Sequence, residues 1–180
     1  MFCSGKEKTA VRQGFYGVRL TVKESICRKS VHTHQFNDEH RMSMRFALAG
    51  KCEMVNFVVA YAATDCAKHA EIKTNFWEKV EDVVEEIPTK ECVFVLMDAN
   101  ARTGRRVVGC GDDKSRVLGA SGRDVLNDNG KRLLSFDTKC NLALTNTFFS
   151  TRKGGISHTH SGTSPNDRKR IDYILTRQAH

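Results

Sequence analysis

Hydrophobic positions along the chain fall into short segments whose pattern predicts β-strands. In some segments apolar residues alternate with polar or basic ones, which is typical of half-buried strands. Other segments are almost continuously apolar, as in central strands that are covered on both faces. The six segments are GVRLTV (17–22), HRMSMRFAL (40–48), MVNFVVAYAA (54–63), CVFVLM (92–97), LALTNTFF (142–149) and RIDYIL (170–175).

Two segments between these strands show the periodicity of amphipathic helices. Residues 70–87 place apolar side chains on one face and most of their acidic side chains on the other, and Pro88 ends the helix. Residues 127–141 predict a second helix, for which Asn129 is a candidate N-cap. Strands that alternate with helices, without an obvious linker, predict a single α/β domain over residues 1–180.

The charge of the chain is unevenly distributed. The formal net charge is +8, with +5 in residues 1–50, −3 in residues 51–90 and +6 in residues 91–180. The acidic part is largely the outer face of the first predicted helix, so two basic parts flank it. This pattern favours a polyanionic partner such as nucleic acid, with an ordinary solvated surface as the alternative.

Cysteine usage and hydropathy bear on the compartment of the protein. The seven Cys residues are scattered without a C-x-x-C pair, which favours reduced thiols in the core over a zinc site. No apolar run approaches the ~20 residues of a membrane span, and the N-terminus lacks the apolar stretch of a secretory signal. We therefore expect a soluble intracellular protein, and the nucleus is compatible with its basic charge.

The stretch VFVLMDANARTG (93–104) places two polar side chains where a buried strand ends. Residues i and i+2 of a strand face the same side, so Asp98 and Asn100 project together at its carboxyl end, where open α/β sheets bind ligands. In a hydrolytic site such a carboxylate orients or deprotonates water, and the amide stabilises charge on phosphorus. An Asx-turn or a cap is the ordinary alternative for this pair.

Three further motifs accompany this pair. They are VVAYAAT, with Tyr61 at the end of its strand, NDNGKRLLSFDTKCNLALTNTFF, and SHTHSGTSPNDRKRIDYIL. In this order, the four motifs resemble the endonuclease/exonuclease/phosphatase (DNase I-like) superfamily. The likeness is greatest to the apurinic-type endonuclease domains of non-LTR retrotransposons and to the craniofacial-development-protein-2-like proteins, and it runs from about Gly17 to His180.

The resemblance implies a fold, a chemistry and a set of roles. The implied fold is a four-layer α/β sandwich, with two β-sheets face to face and helices outside. The implied chemistry is cleavage of DNA phosphodiesters with Mg²⁺ or Mn²⁺ in the complete domain. Asp98 would orient the attacking water, Asn100 would bond the scissile phosphate, and Tyr61 would stabilise the pentacovalent state. Asp172 would hold a catalytic His in its productive orientation.

The resemblance also implies contacts to duplex DNA through its phosphate backbone. Thr64 occupies the place where some relatives have an Asn near the phosphate. Arg102, Arg105 and Arg106 follow the Asp-x-Asn turn and are candidates for backbone contacts, with exposed loop charge as the ordinary alternative. Whether a reverse transcriptase domain follows in the full-length polypeptide stays open.

The chain departs from the family pattern at both ends. The family's Q-E-T, whose Glu binds the metal, and its S-D-H, which supplies the catalytic His, have no counterpart here. Glu7 has no predicted strand around it and His180 has no Ser-Asp before it, so neither is assigned and no metal ligand is placed in this chain. His158 and His160 are interpreted as loop residues. We therefore expect an incomplete domain, without its N-terminal strands and its last strand, that has little or no activity alone.

Four functions follow from these observations. The chain is part of an active DNA endonuclease, a non-catalytic remnant of a retrotransposon, or a basic module that binds nucleic acid without chemistry. A phosphatase acting on small phosphoesters is less favoured, because of the basic loops and the retrotransposon-like motifs.

Overall fold

The structure is a computed structural model of the chain. It describes residues 2–5, 17–27, 31–47, 54–66, 70–104, 114–120, 125–151, 157–164 and 167–178. The strands in this part of the chain are β1 (Phe2–Gly5), β2 (Gly17–Leu20), β3 (Val31–Asn37), β4 (Arg41–Ala47), β5 (Met54–Tyr61), β6 (Cys92–Asp98), β7 (Leu142–Leu144), β8 (His160–Ser161), β9 (Arg168–Lys169) and β10 (Asp172–Arg177). The helices are α1 (Glu24–Cys27), α2 (Ala70–Glu85), α3 (Lys114–Val117) and α4 (Asp128–Lys139), with a 3₁₀ turn at Thr145–Thr147.

A mixed six-stranded sheet forms the centre of the described part of the chain. Its spatial order is β3-β4-β5-β6-β10-β7. Strands β5 and β6 are parallel and are connected by α2, whereas the other neighbouring pairs are antiparallel. The two nearly continuous apolar runs of the sequence form β5 and β6 in the middle of this sheet, as their pattern predicts.

Helices α2 and α4 cover one face of the large sheet. Trp77 and Val80 of α2 and Phe136 of α4 belong to the same buried cluster as Val95 and Leu175 of the sheet. The rings of Trp77 and Phe136 lie 5.9 Å apart between centroids. Full burial of such a side chain contributes about 1.5–3 kcal/mol, so this cluster is the main source of stability.

The small antiparallel sheet of β1 and β2 packs on the opposite face. Val18 and Leu20 of β2 form a second buried cluster with Met42, Met44 and Phe46 of β4. The described elements thus stack as helices, large sheet and small sheet. The predicted α/β sandwich, with two sheets face to face, is confirmed.

Some elements differ from their predicted bounds. Strands β1 and β3 were not predicted, and the segment LALTNTFF is a strand only over Leu142–Leu144. It ends there because the Thr147 hydroxyl donates to the Leu144 carbonyl at 2.6 Å and accepts the Gly119 N–H at 2.8 Å, which closes a 3₁₀ turn. Among the described helices, none is both long and apolar enough to cross a membrane.

Candidate active site

The ends of three neighbouring strands meet at one edge of the large sheet. Strand register places Tyr61 of β5 beside Asp98 of β6, and Asp98 opposite Asp172 of β10. These three residues are far apart in sequence, and two different strand pairings bring them together. The edge consists of the carboxyl ends of β5 and β6, where the sequence predicts a site.

A cleft of about 490 Å³ opens at this edge. The predicted site residues that line it are Tyr61, Thr64, Asp98, Asn100 and Arg102. Asp172 follows Ile171, which also lines the cleft. Two further predicted residues, Arg105 and Arg106, lie outside the described part of the chain.

The turn after β6 fixes the position of Asp98 and Asn100. One carboxylate oxygen of Asp98 accepts the backbone N–H of Asn100 at 3.0 Å, so the Asx-turn and the site are the same structure. Asn100 has a φ of 46°, a left-handed conformation that Asn adopts more readily than most residues. Its Nδ2 donates to the Ala62 carbonyl at 2.8 Å. Because an amide nitrogen carries two protons, the second can reach another acceptor.

The environment of Asp98 makes its carboxyl group less acidic. Burial raises the pKa of Asp98, and the nearby carboxylate of Asp172 raises it further. The hydrogen bond from the Asn100 N–H and the interaction with His160 act in the opposite direction and offset part of this increase in the pKa of Asp98. A less acidic carboxylate accepts a proton more readily, so the shift brings Asp98 closer to the range of a general base at neutral pH.

The backbone of Asp172 is held on both sides. Its N–H donates to the Thr159 hydroxyl oxygen at 3.2 Å, and its carbonyl accepts from the side-chain amide of Asn146 at 3.1 Å. The Thr159 hydroxyl also accepts the N–H of Ile171 at 3.0 Å. The start of β10 is therefore tied to the segment that leads into β8.

The N-terminus of α4 supports the Asp-x-Asn turn from behind. Asn127 is the N-cap of this helix, since its Oδ1 accepts the N–H of Gly130 at 2.8 Å. The same oxygen accepts the N–H of Arg102 at 2.8 Å, and Nδ2 of Asn127 donates to the Asn100 carbonyl at 3.2 Å. One side chain thus fixes both the helix start and the turn.

The prediction that Asn129 is the N-cap of α4 is wrong, and the contacts of its side chain give the physical reason. Asn129 lies inside the first turn of α4 and is fully buried. Its Nδ2 donates to the Ala63 carbonyl at 2.9 Å and to the Asn100 carbonyl at 3.3 Å. It joins the ends of two neighbouring strands instead of capping the helix, which the sequence pattern alone does not reveal.

A buried lysine anchors the loop after β5. Lys73 of α2 is 3% exposed, and its Nζ donates to Asp65 at 3.2 Å and to Asp128 at 2.7 Å. The hydrogen bond to Asp128 is the main cause that raises the pKa of Lys73. Asp65 also lines the cleft, next to Thr64. The loop that carries these two residues is therefore held against the N-terminus of α4.

Several residues of the cleft were not predicted from the sequence. The cleft is also lined by His160 of β8 and Lys169 of β9, which face each other across an antiparallel pair. The prediction that His160 is a loop residue is therefore wrong, whereas His158 lies outside the strands. A strand of two residues leaves no periodicity to detect, so only the three-dimensional contacts reveal His160.

Comparisons with known proteins extend these observations. No family model matches the chain. Craniofacial development protein 2 from Bos taurus is 29% identical over 164 residues, and the Tragulus javanicus protein of the same name is 28% identical over 164 residues. Each alignment covers 90% of this chain and 26% of the relative, so the chain spans about a quarter of the length of these curated relatives.

A solved structure decides the fold. The endonuclease domain of TRAS1, a telomere-specific non-LTR retrotransposon, superposes with a TM-score of 0.50 at 12% identity, covering 83% of this chain and 56% of that domain. The chain has the endonuclease/exonuclease/phosphatase fold. The resemblance inferred from the four motifs is thereby confirmed at the level of the fold.

The endonuclease/exonuclease/phosphatase fold implies a divalent metal ion, and the side chains present provide a test of that implication. The part of the chain that the structure describes contains no group of three or more His, Cys, Asp and Glu side chains able to hold a metal ion. Asp98 and Asp172 are two carboxylates on neighbouring strands, and the described residues form no metal-binding group with a third ligand around them. The described residues by themselves do not form a metal site.

The close approach of α4 to the turn of this fold gives a first prediction. A Cβ atom on Gly130 would lie 2.0 Å from the backbone oxygen of Arg102, which is closer than any real contact. Gly130→Ala must therefore push the helix away from the turn, and we expect a loss of about 1–3 kcal/mol of unfolding free energy, measured by chemical denaturation. Ser135→Ala, at an exposed position of the same helix, is the control. Equal stability of the two variants would contradict the packing described here.

Proposed function

We propose that the cleft hydrolyses phosphodiester bonds of DNA, so that the chain acts as an endonuclease that nicks its target. The observation that carries this proposal is the convergence of Asp98, Asn100 and Tyr61 in one cleft of a nuclease fold. A carboxylate, an amide and a phenol on adjacent strand ends supply a proton acceptor and two donors around one point.

Each of these side chains has a distinct role in the proposed reaction. Asp98 orients a water molecule and accepts its proton, and its raised pKa supports this role. The remaining proton of the Asn100 amide and the hydroxyl of Tyr61 donate to phosphate oxygens, whose negative charge grows as the water attacks. In the complete domain, Asp172 would orient the imidazole of a catalytic His, a residue that is not assigned in this chain.

Duplex DNA is the proposed partner because the chain is basic. The formal net charge of +8 supports attraction to a polyanion. Thr64 and Arg102 line the cleft and are proposed to contact the phosphate backbone, together with Arg105 and Arg106. The likeness to the TRAS1 domain supports an origin in a retrotransposon, in which a reverse transcriptase would share the polypeptide and the nucleus would be the site of action.

Magnesium or manganese belongs to this proposal as the cofactor of the complete domain. When bound in the complete domain, such an ion would neutralise negative charge at the phosphate. The described residues of this chain do not by themselves form a site for the ion, so we expect only a slow reaction from this chain. The reaction should stop in the presence of EDTA.

Nicking of supercoiled plasmid tests the proposal. We expect the purified chain to convert supercoiled DNA to the open circular form with Mg²⁺ and not with EDTA. Turnover of bis-p-nitrophenyl phosphate measured in parallel should be negligible, which separates a nuclease from a phosphatase of small phosphoesters. Absence of nicking at high enzyme concentration, or nicking that is insensitive to EDTA, would contradict the proposal.

A second function is a basic module that binds nucleic acid without chemistry. The specific observation in its favour is the metal test, because the described residues contain no cluster of three ligands. This function predicts duplex binding without nicking. The plot of log affinity against log salt concentration should fall with a slope of roughly −0.9 for each phosphate contacted. Nicking by the purified chain would exclude it.

A further inference from the structure

Three basic side chains lie close to one carboxylate beside the cleft. The pKa of Asp167 is lowered by a hydrogen bond from Lys169, and by the charges of Lys169, His160 and Arg102. The ammonium group of Lys169 forms an ion pair with the Asp167 carboxylate. The same three basic residues, His160, Lys169 and Arg102, line the cleft that contains Asp98. They belong to different segments of the chain, so the fold itself brings them together.

The β8–β9 hairpin positions two of the three groups. His160 and Lys169 are directly opposite each other in an antiparallel pair, which places both side chains on the same side of the hairpin. Arg168 precedes Lys169, so it faces the other side, and it does not line the cleft. The third group, Arg102, comes from the turn after β6, whose backbone is fixed by Asn127.

We propose that His160, Lys169 and Arg102 form a second phosphate-binding subsite, which holds a backbone phosphate of the DNA strand next to the phosphate attacked at Asp98. This inference rests on the proposed function for its substrate. A phosphate oxyanion fits because two permanent cations and one protonatable imidazole line the same cleft and can supply charge-assisted donors. A small phosphoester has no second phosphate, so the subsite favours a nucleic acid strand over such a substrate.

Asp167 competes with the substrate for this subsite. Its carboxylate sits against Gly162, where an added Cβ would lie 2.0 Å from the carboxylate oxygen Oδ2, so the side chain is held close to the hairpin turn. The N–H of Gly162 donates to the Asp167 carbonyl at 2.7 Å, and the N–H of Asp167 donates to the Ser164 carbonyl at 2.9 Å. Entry of a phosphate must displace this carboxylate from Lys169.

Salt-dependent DNA binding tests the subsite. Affinity for a 20-base-pair duplex of mixed sequence is measured by fluorescence anisotropy in EDTA, at several salt concentrations. We expect H160Q/K169Q to bind about tenfold more weakly than the unaltered chain, with a log–log salt slope that is smaller by roughly 0.9, the value of one phosphate contact. Arg168→Gln on the same hairpin is the matched control. It should change the salt slope by less than half as much as H160Q/K169Q does.

Asp167→Asn provides an opposite effect that a folding defect cannot mimic. Removal of the competing negative charge should tighten duplex binding severalfold, and this gain should disappear in the triple variant H160Q/D167N/K169Q. An unchanged salt slope in H160Q/K169Q, an equal effect of Arg168→Gln, or no gain from Asp167→Asn would overturn the subsite. These measurements need no cleavage, so loss of the subsite and failure of the plasmid assay are distinguishable.

Discussion

Replacement of Asp98 by Asn should reduce the rate of plasmid nicking by roughly 10³-fold or more. Loss of one member of a catalytic unit typically costs several orders of magnitude, since the other members cannot replace it. The variant keeps the size of the side chain and an oxygen that can accept the Asn100 N–H, so the turn should stay intact. Its amide cannot accept the proton of water. The measurement is the initial rate of open-circle formation with Mg²⁺.

The control for this experiment is Asp82→Asn, at an exposed position on α2 away from the cleft. It makes the same chemical change and alters the net charge by the same amount. Its nicking rate should stay within about twofold of that of the unaltered chain, and all three proteins should melt at similar temperatures. Equal nicking by the Asp98→Asn variant would remove Asp98 from the mechanism.

Replacement of Asp137 by Leu should stabilise the protein at neutral pH by roughly 1–3 kcal/mol. Asp137 lies on the core face of α4 with 0% exposure, and neither carboxyl oxygen has a hydrogen-bond partner among the residues that the structure describes. A buried polar group without a partner costs about this much, and Leu removes that cost. The measurement is the unfolding free energy from urea denaturation. A loss of stability would contradict the unsatisfied state of this buried carboxyl group.

The same residue gives a pH dependence of defined sign. Burial holds the pKa of Asp137 well above its ordinary value of 3.8, so the native protein keeps a proton that the unfolded chain has already lost. Its contribution to stability is therefore most favourable near or below pH 3.8 and declines as pH rises through the raised native value. In Asp137→Asn this decline should be absent, while Asp82→Asn should retain it. Parallel pH profiles for Asp137→Asn and the unaltered chain would contradict the assignment.

Much of the fold follows from local patterns in the sequence. The apolar runs of β5 and β6 and the amphipathic α2 carry strong periodic signals, and each is found at its predicted place. Strand β3, VHTHQFN, was not predicted because polar residues occupy most of its positions. Its place at the sheet edge comes from pairing with β4, which is a long-range contact.

The candidate site likewise contains residues that local sequence patterns reveal and residues that only long-range contacts reveal. Asp98 and Asn100 could be recognised from the sequence because two residues at positions i and i+2 of one strand end face the same side. Asp65, Asn127 and Lys169 reach the cleft from a loop, a helix cap and a short hairpin, and nothing in their local sequence indicates this location. Such residues become visible only when the strand order and the helix packing are known.

Cleavage of a duplex oligonucleotide in ¹⁸O-labelled water tests directly whether this cleft hydrolyses phosphodiester bonds. Hydrolysis at phosphorus places one ¹⁸O atom in the terminal phosphate of a product fragment, and mass spectrometry of the products identifies it. The proposal predicts this single label after incubation with the purified chain and Mg²⁺, and its loss in Asp98→Asn. Products with unlabelled phosphate, or intact substrate after prolonged incubation, would contradict hydrolysis at this cleft.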